Sequence, residues 1–142
     1  YSGDEIGQEN DYTYHEEPDR WGDSRYLHRG RFRWDLEAKR SETGTVQEKL
    51  FNGIGKLEKI RKGSPVFHTD AQVHTIDTRD DAVLGIVREN AGQKLTALFN
   101  FSAYEKTVYL EEGTGYTDLI SGKKIEGCEV HVEGYGACWL VE

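Results

Sequence analysis

The run Asp23-Ser24-Arg25-Tyr26-Leu27-His28-Arg29-Gly30-Arg31-Phe32-Arg33-Trp34 gathers the side chains of this 142-residue chain that are best suited to chemistry. Arginine forks grip carboxylates through paired hydrogen bonds, and aromatic rings offer flat apolar faces. A loop of this composition serves as a pocket wall, as a salt-bridged structural loop or as a basic binding strip. The residues of the run alone leave all three open.

Elsewhere the reactive residue types do not form a set. A glycosidase needs two carboxyls roughly 5–9 Å apart across a cleft. Asp4 and Glu5 are adjacent, so in an extended segment they point to opposite faces, and anchoring is their reading. His15, His28, His68, His74 and His131 are scattered, without a serine or cysteine nucleophile motif and without HxH or HExxH metal spacing. Glu9, Asp11, Glu16, Glu17 and Asp19 lack the alternating oxygen ligands and glycine of a calcium loop. They read as solvated, or as paired with the arginines downstream. No glycine-rich phosphate loop occurs. No complete catalytic site, metal site or cofactor is expected of this chain.

The elements that must position the arginine run are legible to different degrees. Tyr1 to about Thr43 keeps neither a helical nor a strand period for long, and Tyr1-Ser2-Gly3 reads as the tail of a strand. A loop of about forty residues is too long for a mere connection, and its aromatics argue against disorder. Thr45-Val46-Gln47-Glu48 spells a capping box. Val46, Leu50, Ile54, Leu57 and Ile60 then recur at helical steps, with Phe51 widening the stripe. Lys59, Arg61 and Lys62 suit the negative helix end, and Gly63 and Pro65 stop it. Gly53 and Gly55 each weaken this helix by roughly 1 kcal/mol, so its stripe is expected to be core.

From about Ala71 the period becomes two. Strands are expected over 73–76, 83–88, 95–99, 107–110, 115–119, 123–125, 129–132 and 137–141. They are separated by turn signals at Asp80-Asp81, Asn90-Ala91-Gly92, Glu112-Gly113, Ser121-Gly122 and Glu133-Gly134-Tyr135-Gly136. Eight short strands so spaced predict an antiparallel sandwich. Leu84, Ile86, Leu98, Phe99, Val108, Leu110, Trp139 and Val141 are its expected core.

Charge narrows the partners. Residues 1–63 hold 12 Lys and Arg against 13 Asp and Glu, a balance of -1, and residues 64–142 hold 6 against 13, a balance of -7. Binding to phosphate backbones depends on cationic neutralisation, so nucleic acid is not an expected partner. No apolar run reaches the roughly 20 residues of a membrane helix, and no membrane partner is expected. Cys128 and Cys138 lie ten apart in what reads as a hairpin; two reduced, small side chains are expected there rather than a disulfide. The chain opens at Tyr1 without methionine and is expected to be a piece of a longer protein. No charged-then-apolar leader precedes it, so a cytoplasmic location is expected of the parent.

A family resemblance joins these observations. Tyr1-Ser2-Gly3-Asp4-Glu5-Ile6-Gly7-Gln8 resembles the segment that ends the eighth barrel strand in the α-amylase superfamily, glycoside hydrolase family thirteen. Asn10-Asp11-Tyr12, then Asp23-Ser24-Arg25-Tyr26-Leu27-His28-Arg29, a helix ending Ile60-Arg61-Lys62, and Pro65-Val66-Phe67 are similar to amylosucrases. Leu98-Phe99-Asn100-Phe101-Ser102 resembles a strand of that superfamily's C-terminal β domain.

The resemblance implies an α+β piece in two parts. Residues 1–63 would be the last β/α unit of a TIM-type barrel, mostly loop plus its eighth helix, and residues 64–142 a C-terminal β-sandwich. It implies a parent that uses sucrose and α-glucan by a retaining double displacement, with its nucleophile, acid/base and stabilising carboxyls on earlier strands. This chain alone would then be inactive. It further implies that Arg25 pairs with an upstream aspartate and closes the glucose pocket, while Asp23, His28 and Arg29 support the loop. Gly30, where a proline is common, and Tyr26, in place of tryptophan, depart from the pattern. A fragment of an α-amylase-type or sucrose hydrolase is the neighbouring alternative. A non-catalytic carbohydrate-binding β module, using Tyr104, Tyr109, Tyr116 or Tyr135, is the alternative of another class. Without barrel neighbours, the first forty residues are expected to pack abnormally or to self-associate.

Overall fold

Alternating burial along successive short strands builds the second part of this protein. The computed structural model describes residues 2–111 and 115–142. Its strands are β1 (Gln72–Ile76), β2 (Val83–Asn90), β3 (Gln93–Asn100), β4 (Lys106–Tyr109), β5 (Tyr116–Asp118), β6 (Lys124–Ile125), β7 (Glu129–Val132) and β8 (Ala137–Val141). Each run read as a strand carries one. The order β1-β2-β3-β8-β5-β6 forms one antiparallel sheet, and β4 pairs with β7 in a second. Ala91 (φ 51°) and Gly92 (φ 76°) make a two-residue hairpin turn between β2 and β3. The turn read at Glu112-Gly113 lies outside the described residues.

Strand β3 shows how the sheet is covered on both faces. Leu98 joins Val83, Val108, Val130, Cys138 and Leu140 in the core between the two sheets. Leu95 and Ala97, which point the other way, pack with Val66, Phe67 and Trp139 on the opposite face. A 3-10 turn at Pro65–Phe67 supplies that cover, and the Phe67 and Trp139 rings stand 4.9 Å apart. Of the expected core, Leu98 and Val108 are fully buried, whereas Ile86, Phe99, Leu110, Trp139 and Val141 are partly buried. Leu84 is not core: Val83, Gly85 and Val87 take the inward positions of β2, and Leu84 stays 40% exposed. Gly85 is there because β1 passes close by; a Cβ would sit 2.6 Å from Ile76 Cγ1.

The cysteines do not lie in one hairpin. Cys128 precedes β7 and Cys138 is in β8, strands of different sheets, and both thiols are free. Burial, reinforced by the Asp118 carboxylate, pushes the Cys138 thiol up to about 12.

The chain divides into two compact units, Tyr1–Lys56 and Leu57–Glu142. The long helix α2 (Val46–Gly63) matches the predicted span. Thr45 Oγ1 accepts the Glu48 amide at 3.1 Å, forming half of the capping box. The other half is missing, because Glu48 Oε1 accepts from Asn52 Nδ2 at 2.7 Å instead. The apolar stripe is not core here: no residue of α2 is buried, and Val46 is 62% exposed. Leu50 does reach Gly7, where a Cβ would stand 2.8 Å from Leu50 Cδ1. No helix of the described residues is long and apolar enough to cross a membrane.

Ahead of α2 the first unit is built of 3-10 turns at Asp4–Ile6, Tyr12–Glu16, Ser24–His28 and Lys39–Ser41, with a five-residue helix α1 (Trp34–Ala38). No strand stands before α2 among the described residues. Tyr1 lies outside them, and Ser2-Gly3 turns rather than extends. A barrel strand has its backbone donors satisfied by neighbours on both sides, and none is present here. The α+β content is therefore that of a β domain preceded by helix and turns, without a visible barrel unit.

Candidate functional site

In the first unit, polar side chains of one short segment clamp the arginine run. Gln8 does most of it. Its Nε2 donates to Arg31 O at 3.1 Å, and its Oε1 accepts the Arg33 amide at 3.0 Å. The Asp11 amide donates to Leu27 O at 2.8 Å. His28 Nδ1 lies 3.0 Å from Asn10 Oδ1. Gly30 then has a structural reason, since a Cβ at that position would stand 2.9 Å from Asp11 Cβ. A proline at that position would crowd the same carboxylate.

The clamp leaves a cleft of about 500 Å³ lined by Gln8, Asn10, Asp11, Gly30, Arg31 and Arg33. Its acid and base members are largely committed. Asp11 Oδ1 accepts from the Thr13 hydroxyl at 2.6 Å and the Thr13 amide at 3.0 Å, which hold its carboxyl below the usual range. Arg33 forks onto Asp35 with bonds of 2.7 and 2.6 Å, and that guanidinium holds Asp35 down to about 2. Both carboxylates are thus held in the ionised form by their hydrogen-bond donors.

Arg25, singled out by sequence, sits on the 3-10 turn Ser24–His28 and not in this cleft. Its Nη2 and Nε close on Asp23 Oδ2 and Oδ1 at 2.6 and 2.8 Å. Hydrogen bonds from the Arg25 side chain and amide hold Asp23 to about 2. Arg29 and Arg20 both lie over the Tyr26 ring, at 5.6 and 5.1 Å, so an aromatic at 26 serves as a cation seat. His28 opens on a recess of only about 20 Å³, room for a water and not for a sugar. The structure thus brings Asp23 and Arg25 together as a preformed fork, and gives His28 and Arg29 anchoring contacts of their own.

Gln8, Asn10 and Asp11 are the residues that reading for reactive groups passed over as site formers. The signal available was Gly30, the lone glycine in a run of bulky side chains. Of the tyrosines considered for sugar binding, Tyr116 is 4% exposed and belongs to the core between the sheets. Tyr104, Tyr109 and Tyr135 remain exposed.

A family model described as the β-galactosidase C-terminal domain matches residues 85–137. Among solved structures, an Anoxybacillus α-amylase is similar with a TM-score of 0.69 and 17% identity, covering 99% of this chain and 28% of that one. AmyP in complex with maltose gives 0.59 at 17% identity, over 67% of this chain and 20% of that one. Trehalulose synthase MutB from Pseudomonas mesoacidophila MX-45 gives 0.57 at 18% identity, over 66% and 18%. The chain spans between 18% and 28% of the length of these enzymes. The likeness is one of fold: the chain shares the fold of part of each of these enzymes.

Proposed function

We propose that this chain is the C-terminal part of an amylosucrase-like transglucosylase of the α-amylase superfamily. The parent cleaves sucrose with retention through a covalent glucosyl-enzyme and passes glucose to a glucan end or to water. The carboxyls that do this lie on barrel strands outside residues 1–142, so the chain by itself turns over no sucrose. Residues 1–63 supply the long loop and the helix of that barrel's last β/α unit, and residues 64–142 its β domain. Arg25 narrows the active-site cleft to a pocket for one glucosyl unit. Asp23, His28 and Arg29 hold its loop.

The supporting observation is a coincidence in one chain. The selective motif Asp23 to Arg29 carries an exposed arginine–carboxylate pair between neighbours in sequence, and the whole chain overlays an α-amylase that is more than three times as long. The bare apolar stripe of α2 agrees with this, because a barrel helix needs the sheet it covers. An α-amylase-type or sucrose hydrolase is the second reading, favoured by the α-amylase and AmyP likenesses. Product analysis of the full-length protein separates the two: fructose and a growing glucan from sucrose support the transglucosylase, and no fructose at all removes it.

A further inference from the structure

Residues 12–26 form a loop whose two ends are held together. The Asp11 amide donates to Leu27 O at 2.8 Å, and His28 Nδ1 lies 3.0 Å from Asn10 Oδ1. Surface loops closed at the neck in this way are compact units packed by their own side chains. Tyr14 is buried within the first unit, and the turn Ser24–His28 carries Arg25, capped by Asp23. The Asp23–Arg25 bond joins near neighbours, so it shapes the turn without placing it. Placement needs contacts from another segment, which Gln8, Asn10 and Asp11 supply.

Gln8 extends the closure beyond the neck. A primary amide offers a donor and an acceptor at once, whereas a carboxylate only accepts and an ammonium only donates. Gln8 uses both, Nε2 on Arg31 O and Oε1 on the Arg33 amide. Each partner is a backbone group, so the two bonds fix the path of the chain. Gln8 is itself held in place. Its amide donates to Gly3 O at 2.9 Å, the same carbonyl accepts the Ile6 amide at 3.1 Å, and Ile6 is fully buried. Gly3 (φ 105°) leaves room for the Gln8 side chain, since a Cβ there would stand 2.9 Å from Gln8 Cβ and Oε1.

We propose that Gln8 is a positioning residue: it latches the neck of loop 12–26 and so fixes where the Asp23–Arg25 pair stands. The latch rests on this geometry. Its consequence for substrate choice rests on the function proposed above, in which Arg25 narrows the pocket.

Amide exchange of the 142-residue chain, followed by NMR, tests the latch. The Asp11 amide donates to Leu27 O and the Arg29 amide to Tyr26 O. Gln8→Ala should speed exchange at both by about tenfold, although neither bond involves Gln8. The Asn100 amide of the β domain, bonded to Gly136 O, should keep its rate, which shows that the variant is folded. Gln8→Glu keeps the acceptor for Arg33 and loses the donor to Arg31, and its rates should lie between. Unchanged rates at Asp11 and Arg29 in Gln8→Ala overturn the latch.

Kinetics of the proposed parent enzyme test the positioning role. Gln8→Ala should raise KM for sucrose by about threefold to tenfold and lower kcat by less than about twofold. Because Gln8 acts through Arg25, the Gln8→Ala/Arg25→Ala double variant should be no worse than Arg25→Ala alone. Additive losses overturn the role. The two readings fail separately. Faster exchange in Gln8→Ala without any sucrose turnover removes the proposed parent alone, and sucrose turnover with unchanged exchange removes the latch alone.

Discussion

The guanidinium of Arg25 is locked to the carboxylate of Asp23, two residues before it, through Nη2–Oδ2 at 2.6 Å and Nε–Oδ1 at 2.8 Å. Asp23 also accepts the Arg25 amide at 3.0 Å, so one carboxylate caps the turn and aims the fork. The Arg25 side chain and amide hold Asp23 down to about 2, so the pair stays ionised near neutral pH. In the proposed parent enzyme, Arg25→Ala should lower kcat/KM for sucrose by on the order of tenfold or more and raise relative activity on longer glucans. Arg25→Lys keeps the charge without the planar fork, and should fall between the two. Steady-state kinetics on sucrose and maltoheptaose check this.

Asp118 is the buried counterpart. Burial pushes its carboxyl up. The Ser121 hydroxyl (2.5 Å) and the amides of Trp139 (2.9 Å), Ile120 (3.1 Å) and Ser121 (2.9 Å) outweigh burial and hold it below the ordinary value. A carboxylate whose folded pKa is depressed contributes stability above its unfolded value near 4, and that stability disappears as pH falls through the folded value. Asp118→Asn should cost about 2 kcal/mol or more at neutral pH. The difference in stability between the two proteins should shrink below about pH 4. Urea unfolding at a series of pH values measures both effects.

Alternation along the strands makes a paired prediction. Leu140 is 1% exposed and Leu84 40% exposed. Leu140→Ala should destabilise the protein by about 2–5 kcal/mol, and Leu84→Ala by about 1 kcal/mol or less. Denaturant midpoints at constant m-value would show it, and equal losses at the two positions would contradict the register.

The apolar stripe of α2 predicts the solution behaviour of the chain on its own. Val46, Leu50, Phe51 and Ile54 are all at least 37% exposed, a row that in the proposed parent faces the barrel. Without the barrel, sedimentation should reveal concentration-dependent self-association. A Leu50→Glu/Ile54→Glu variant should return the chain to monomer while keeping its helix content.

What could be read from the sequence depended on how local the signal was. The eight strands and α2 came from periods of 2 and 3.6, which the polypeptide geometry enforces over a few residues. Pairing is not local. Cys128 and Cys138 read as one hairpin, yet β7 joins β4 and β8 joins β3 and β5, because a sandwich pairs strands across long connections. The stripe of α2 shows the complementary limit: periodicity tells which face is apolar and not whether its partner is present. In the first unit the arginine run was visible as composition, whereas the Gln8–Arg33 clamp depends on contacts across 25 positions. Only Gly30 hinted at it.

Incubation of the full-length protein with sucrose as sole substrate, with fructose, glucose and chain-extended glucan quantified, tests the account most directly. The account predicts fructose released in excess of free glucose, with the missing glucose found in α-glucan. Intact sucrose after prolonged incubation, with maltooligosaccharides hydrolysed instead, would contradict it.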